Sequence, residues 1–253
     1  MSTLSRSSHA LVTGGARGIG REIATTLSRA GVRVTVLGRH RDVLDAVVAE
    51  GRAHFAVVAD VADQTALNGA VAEASVRQPI DILVANAGAA ESAPFAKSDP
   101  TLFRRMWEVN FLGVVHASQA VLPSMKASGR GRIIAIASTA GLKGYPYVTA
   151  YTAAKHAVVG LVRSLALELA TTEITVNAVC PGFTDTDLLT GSIETIMRTT
   201  GRSRDEAVAE LARHNPQGRL VTPAEVADTV LWLCGDGAGA ITGQAVAVAG
   251  GEI

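Results

Sequence analysis

The chain is short of several residue types, and each shortage excludes something. Net charge is absent: 23 Lys and Arg balance 23 Asp and Glu over 253 residues. No global field therefore draws in nucleic acid or an anionic membrane, and the expected partner is a small molecule. Only two cysteines occur, Cys180 and Cys234, far apart and each in an apolar run. That favours buried thiols in a reducing compartment over a disulfide scaffold. No run reaches the roughly 18 uninterrupted apolar residues of a membrane-spanning helix. Residues 1–8 are polar and lack the apolar core or cleavage signal of a secretory leader. They are expected to be a disordered start, with a cytoplasmic address for the protein. The six histidines are scattered without zinc spacing, so no metal site is expected. A Gly-x-Ser-x-Gly elbow, a Walker lysine, internal repeats, low-complexity tracts and linkers are lacking too.

What remains is an ordinary globular composition, 48% hydrophobic, in a length that suits one α/β domain, 1–253. Short runs rich in β-branched residues alternate with longer segments of helical period, the pattern of a parallel sheet with crossover helices. Seven strands are expected at 9–13, 32–37, 53–58, 80–85, 131–138, 175–180 and 245–249. Helices are expected at 18–30, 41–50, 63–77, 101–128, 150–171 and 223–235, the last opened by a Thr222 cap and Pro223. Several strands are apolar on consecutive residues, as in Ile82, Leu83, Val84 and Ala85, which requires cover on both faces. The fold class is thus α/β, a doubly wound parallel seven-stranded sheet flanked by helices. A stretch at about 183–215 stands out as long, with two helical pieces inside it, and reads as a lid over a binding site.

Directly after the first strand comes Thr13-Gly14-Gly15-Ala16-Arg17-Gly18-Ile19-Gly20, followed by an amphipathic helix. Glycines there let the backbone turn sharply and approach a pyrophosphate, which then faces the positive end of the helix. The plain alternative is a Gly-rich turn with no ligand. Dinucleotide-binding chains select their ribose at the end of the second strand, an acid accepting from a 2′-hydroxyl and an arginine receiving a 2′-phosphate. Here the end reads Leu37-Gly38-Arg39-His40-Arg41, with no acid before Asp42, and Arg17 can reach the same spot. This favours NADP(H), with NAD(H) as the alternative. Arg39 and Arg41 could instead form a solvated strand end, and Asp42 could turn toward the ribose.

Ser138 closes the fifth strand, Tyr151 follows 13 residues later, and Lys155 lies four beyond that. A spacing of four puts tyrosine and lysine on one helix face. A free phenol, with a pKa near 10, is a poor acid or base at neutral pH; a neighbouring cation and an oxidised nicotinamide both lower it. In the reducing direction Tyr151 would protonate a carbonyl oxygen that Ser138 also holds. Lys155 would lower the tyrosine pKa and grip the nicotinamide ribose. The plain alternatives are a turn serine and an exposed helix lysine.

With these residues the chain resembles the short-chain dehydrogenase/reductase family over nearly its whole length. The cofactor motif matches 13–20, the adenine-side acid matches Asp60 followed by Val61, and a fourth-strand motif matches Asn86-Ala87-Gly88, with Ala85 in place of the commoner first Asn. The family tetrad maps to Asn110, Ser138, Tyr151 and Lys155, and its Pro-Gly-x-x-x-Thr motif to Pro181, Gly182 and Thr186. The resemblance implies a Rossmann-like fold and cofactor contacts from Gly14, Arg17, Gly18, Ile19, Gly20, Arg39, Asp60, Val61, Asn86, Gly88, Tyr151, Lys155, Pro181, Gly182, Thr184 and Thr186. It implies that Asn110 holds a water linking Lys155 to solvent, although from its setting alone Asn110 is equally a polar helix residue. It further implies that Asn86 braces the sheet, Gly88 leaves room for the adenine ribose, and Thr186 contacts the carboxamide or pyrophosphate. Assembly as a homotetramer is implied, through the helices carrying Asn110 and Tyr151 and through the last strand and C-terminus.

The segments 89–95, 139–148 and 183–215, which decide substrate choice, should surround the nicotinamide. They are largely apolar or small, as at Ala90, Pro94, Phe95, Leu142, Tyr145, Pro146 and Phe183, which suits an acyl or alkyl ketone. The stripe of Leu188, Leu189, Ile193 and Ile196 reads as lid packing before substrate groove. Arg198, Arg202, Arg204 and Arg213 could meet the phosphates of a CoA or carrier arm, or form a solvated face. The run 174–183 is similar to that of 3-oxoacyl-thioester reductases, polyketide ketoreductases and 3-hydroxybutyrate-type dehydrogenases. The expected function is an NADPH-dependent ketoreductase acting on a 3-oxoacyl thioester or related ketone. An NAD(P)-dependent secondary-alcohol or 3-hydroxyacyl-CoA dehydrogenase working oxidatively is the alternative. A nucleotide sensor on the same scaffold is a third reading, against which the intact tetrad argues.

Overall fold

A computed structural model describes residues 8–253, so the expectation for residues 1–7 lies outside the described residues. Strands β1 (His9–Thr13), β2 (Arg33–Gly38), β3 (Phe55–Val58), β4 (Ile82–Ala85), β5 (Arg130–Ile136), β6 (Glu173–Pro181) and β7 (Ala245–Val248) form one sheet. Its order is β3-β2-β1-β4-β5-β6-β7 and every pairing is parallel. The order reverses between β1 and β4, so the chains leaving their C-terminal ends diverge and open a crevice there. Thr13 is in register with Leu37 on one side and Ala85 on the other, which brings the segments after β1, β2 and β4 to one rim.

The helices are α1 (Gly18–Arg29), α2 (Arg41–Ala49), α3 (Gln64–Arg77), α4 (Pro100–Trp107), α5 (Gly113–Ser128), α6 (Thr149–Glu168), α7 (Asp187–Thr200), α8 (Arg204–Ala212) and α9 (Pro223–Cys234). Successive strand residues feed opposite faces. Leu11 and Leu83 enter a core with Val114, Val121, Val158 and Val162 from α5 and α6, while Val12 and Val84 enter a core with Ile23, Leu27, Val226 and Val230 from α1 and α9. Each such buried side chain contributes about 1.5–3 kcal/mol, so the two-faced apolar strands specify the doubly wound arrangement. Cys180 belongs to one core and Cys234 to the other; both thiols are free and buried. Among the described residues no helix is long and apolar enough to cross a membrane.

Most element ends lie within three residues of expectation, and two differences bear on the site. The helix expected over 101–128 is broken: α4 stops at Trp107, a π-helical turn spans Glu108–Leu112, and α5 starts at Gly113. A π turn accommodates one extra residue within a helix and re-aims the side chains around it. Strand β5 stops at Ile136 and not at Ser138, because Ser138 instead caps the short turn Thr139–Gly141, its hydroxyl accepting from Ala140 N at 3.1 Å. The cap expected at Thr222 is present, reinforced by Glu225 in a reciprocal capping box.

Candidate active site

At the rim, β1 passes into the glycine turn with Gly14 at φ +63°, a conformation open to glycine, and Gly14 N donates to Leu37 O at 2.7 Å. Asn86 fixes that turn from β4: its side-chain amide donates to the Thr13 and Gly14 carbonyls at 3.0 and 3.2 Å, and the backbone N–H groups of Asn86 and Ala87 both donate to Thr13 Oγ1 at 3.0 Å. A Cβ added at Gly20 would overlap Gly14 O and Asn86 Nδ2, so the first turn of α1 lies directly on the glycine turn. Gly18 opens α1 and half-buried Ile19 follows it. No acid stands in that first turn and Arg17 places no side-chain cap on it, leaving the N–H groups and the positive helix end free for an anion. This cradle fits a dinucleotide pyrophosphate.

At the ribose end, Arg39 is 67% exposed and its guanidinium lies 3.8 Å from Asp60 Oδ2, while Asp60 Oδ1 accepts from Ala62 N at 3.0 Å. An exposed pair at that distance is worth at most about 1 kcal/mol and leaves Arg39 free to take another anion. Arg41 turns away, 3.7 Å from Asp45 and donating to Ala56 O at 3.3 Å. Arg17 and Asp42 are exposed. Val61 is buried against Gly113 and its carbonyl lies 3.0 Å from His116 Nδ1, which ties the end of β3 to α5.

Ser138, Tyr151 and Lys155 converge at the ends of β5 and β6. Lys155 is 4% exposed; its Nζ donates to Ile136 O at 2.8 Å and lies 5.6 Å from the Tyr151 ring centre. Burial pushes the Tyr151 phenol above its ordinary pKa, opposed by its hydrogen bond with Ser138. Burial also brings the Lys155 ammonium down to about 8, with Cys180 acting the other way. The expectation that Lys155 lowers the tyrosine pKa is not met in the protein alone. Desolvation is the larger effect, and the ammonium directs a proton at the Ile136 carbonyl. The phenol is therefore neutral at pH 7 and equipped to donate.

Asn110 sits fully buried inside the π turn. Its Oδ1 accepts from Ala89 N at 3.2 Å, and its Nδ2 donates to Ala89 O at 2.9 Å and Met106 O at 3.0 Å, stapling the loop after β4 to the helix break. Asn110 and Lys155 flank Gly88, where an added Cβ would lie 2.8 Å from Asn110 Oδ1 and 3.7 Å from Lys155 Nζ. Pro181 ends β6, and Gly182 N donates to Val248 O at 3.0 Å. Buried Thr184 donates through its hydroxyl to Gly182 O at 2.9 Å, and Thr186 to Thr184 O at 3.3 Å. A Cβ at Gly18 would meet Thr186 Cγ2 at 3.2 Å, so the start of the 183–215 segment lies over the glycine turn.

Within that segment Leu189 and Ile193 of α7 pack on Ala207 and Leu211 of α8, forming a small core of its own with Phe183, Ile196 and Met197 around it. The side chain of Leu188 lies outside the described residues. Arg202 and Arg213 are each paired with Glu210, at 3.2 and 3.0 Å, as a solvated face does. One polar group that joins the 139–148 and 183–215 segments carries no signal in the sequence. Glu252 meets Lys143, Tyr145 and His214 there, and the rings of Tyr145, Phe183 and His214 stand 5.1–5.8 Å apart. No local spacing announces a contact between the chain's end and a loop 107 residues earlier.

A family model described as short chain dehydrogenase matches residues 8–196. A Streptomyces coelicolor protein named "Putative ketoacyl reductase" is 41% identical over 252 residues, covering 96% of this chain and 95% of that protein. The D-beta-hydroxybutyrate dehydrogenase of Rhizobium meliloti is 35% identical over 255 residues, covering 96% and 97%. Among solved structures, a variant of actinorhodin polyketide ketoreductase with NADPH superposes with a TM-score of 0.94 at 39% identity, covering 100% of this chain and 99% of that one.

Proposed function

Because the chain belongs to the short-chain dehydrogenase/reductase family, oxidoreductases acting on hydroxyl and ketone groups, we propose that it is an NADPH-dependent ketoreductase acting on a 3-oxoacyl thioester or a related ketone. The observation that carries this reading is Tyr151 hydrogen-bonded to Ser138, with the buried Lys155 ammonium 5.6 Å from its ring centre. A bound nicotinamide would supply the hydride. Ser138 and Tyr151 orient the ketone oxygen by hydrogen bonds. Tyr151 then gives its proton to that oxygen as negative charge develops, which requires a phenol that is protonated at working pH. Lys155 stabilises the phenolate left behind and holds the nicotinamide ribose, and Asn110 keeps the loop after β4 in place beside it and holds a water for proton return. The oxidative direction needs a phenolate at the outset. The dehydrogenase named among the relatives favours that second reading.

Exposed Arg39 supports NADPH over NADH, because a 2′-phosphate would exchange its weak pair with Asp60 for a charge-assisted one. The 183–215 segment serves as the lid of a single catalytic domain, being anchored over the glycine turn at Thr186 and internally packed. Homotetramer formation is supported by the outer edge of β7, unpaired among the described residues, by Leu167 on α6 at 80% exposure, and by exposed Trp107 of α4, its ring tilted against Phe111. The decisive assay follows absorbance of NADPH and NADH with acetoacetyl-CoA and a panel of simple ketones. Turnover with NADPH is expected, and turnover of no ketone or alcohol with either nucleotide would defeat the proposal. Tyr151→Phe should lower kcat by at least about 100-fold while leaving NADPH affinity within a few-fold of wild type. Retained activity would remove Tyr151 from its role.

A further inference from the structure

Residues 249–253, which follow β7, pack against the 139–148 and 183–215 segments. Gly250 and Gly251 both adopt positive φ, +60° and +93°. Any Cβ at Gly250 would overlap the side chain of buried Asn215, and one at Gly251 would lie 3.7 Å from Pro216 Cγ. The turn is thus docked against the end of the 183–215 segment and delivers Glu252 inward, its side chain only 2% exposed.

The Glu252 carboxylate gathers three elements. Lys143 Nζ and Tyr145 Oη, from the loop after β5, lie 3.0 and 2.5 Å from Oε1, and His214 Nδ1, following α8, lies 3.8 Å away. Tyr145 has a second partner, Thr139 Oγ1 at 2.7 Å. A carboxylate only accepts, so the single phenolic proton goes to Glu252 and the Thr139 hydroxyl donates in turn to Tyr145. Thr139 adjoins Ser138, and the phenols of Tyr145 and Tyr151 are close enough to affect one another electrostatically. With its hydroxyl engaged on both sides, Tyr145 is left with its ring, edge-on to Phe183 at 5.8 Å and to His214 at 5.7 Å. Oε2 of Glu252 is buried without a hydrogen-bond partner among the described residues, 3.1 Å from where a Cβ of Gly182 would stand. A buried carboxylate with one oxygen unmatched adds little to stability for its own sake, which points to a positional purpose.

We infer that Glu252 is a positioning residue for substrate capture: it locks Tyr145 and, through His214 and the docked turn, holds the 183–215 segment as one wall of rings against which a ketone binds. The inference rests on the ketoreductase reading for its kinetic arm only. In Glu252→Ala, Tyr145 loses its acceptor and the wall loses its tie, so KM for the ketone rises about 10-fold or more while kcat and the KM for NADPH stay within about 3-fold. Glu252→Gln still accepts the Tyr145 proton but no longer pairs with Lys143, and falls between. A wall of rings held at fixed angles discriminates by shape, so the ratio of kcat/KM for a cyclic ketone to that for a straight-chain ketone falls in Glu252→Ala. The second arm is amide hydrogen exchange of the full chain, which needs no substrate: exchange rises at 143–147 and 183–215 and stays unchanged in α1. A folded Glu252→Ala protein with wild-type exchange in those segments overturns the inference, as does one with wild-type ketone KM and selectivity. Should wild type reduce no ketone, the ketoreductase reading fails, and the exchange arm alone decides for Glu252.

Discussion

Lys155 is the group whose titration the fold moves furthest into the working range. Its ammonium is almost fully buried, donates to the Ile136 carbonyl at 2.8 Å, and is brought by burial to a pKa of about 8, against the opposing pull of Cys180. Burial moves Tyr151 the other way, above the ordinary phenol value. Between pH 6 and the ordinary phenol range, then, the proton donor stays protonated, and of this pair it is the lysine that changes charge. The sign is fixed: the charged lysine is present below about pH 8 and lost above it. kcat/KM for NADPH, measured at saturating ketone, reports groups of the free protein. It should be level at acid and neutral pH, fall to about 10% of its plateau one pH unit above the lysine pKa, and to about 1% two units above. Lys155→Met should lower kcat/KM by about 100-fold or more at pH 7 and remove the alkaline descent. A wild-type profile that stays level to about pH 9.5, or an identical descent in Lys155→Met, would refute the assignment.

At the other end of the crevice, Arg39→Asp sets a second carboxylate beside Asp60 and removes a guanidinium from a 2′-phosphate; KM for NADPH should rise about 10-fold or more with little change for NADH, and an unchanged ratio would sink the phosphate role of Arg39. Gly20→Ala pits helix propensity, which favours alanine by up to about 1 kcal/mol, against the overlap of the new methyl with Gly14 O and Asn86 Nδ2. Overlap with backbone should win by about 1–3 kcal/mol, seen as a lower thermal midpoint and weaker NADPH binding in a fluorescence titration. A stabilised variant would show that the first turn of α1 does not lie on the glycine turn.

The sheet was legible because strands buried on both faces leave consecutive apolar residues, and the glycine turn because only a strand-to-helix join gives such a cluster a purpose. Ser138, Tyr151 and Lys155 could be read because two of them share a helix face and the third follows closely on a strand's apolar run. The break at Glu108–Leu112 could not, since the apolar period on either side remains helical and one added residue leaves no mark of its own. The stripe on α7 carried two readings that only its partner α8 separates. Glu252 was hidden because its partners are distant in sequence, and the Tyr151 pKa because desolvation is a property of packing and not of spacing.

The strand order also dictates the sequence of assembly. Residues 9–58 can build β3-β2-β1, but one edge of β1 stays bare until β4, Ile82–Ala85, is made. Until then the Thr13 hydroxyl and carbonyl have no partner from Asn86, so the loop ahead of α1 takes its final shape only as the two half-sheets zip together. The crevice is therefore a seam. A nascent chain paused before β4 exposes an adhesive strand edge, and completing that seam both ends the danger and creates the place where the chemistry happens.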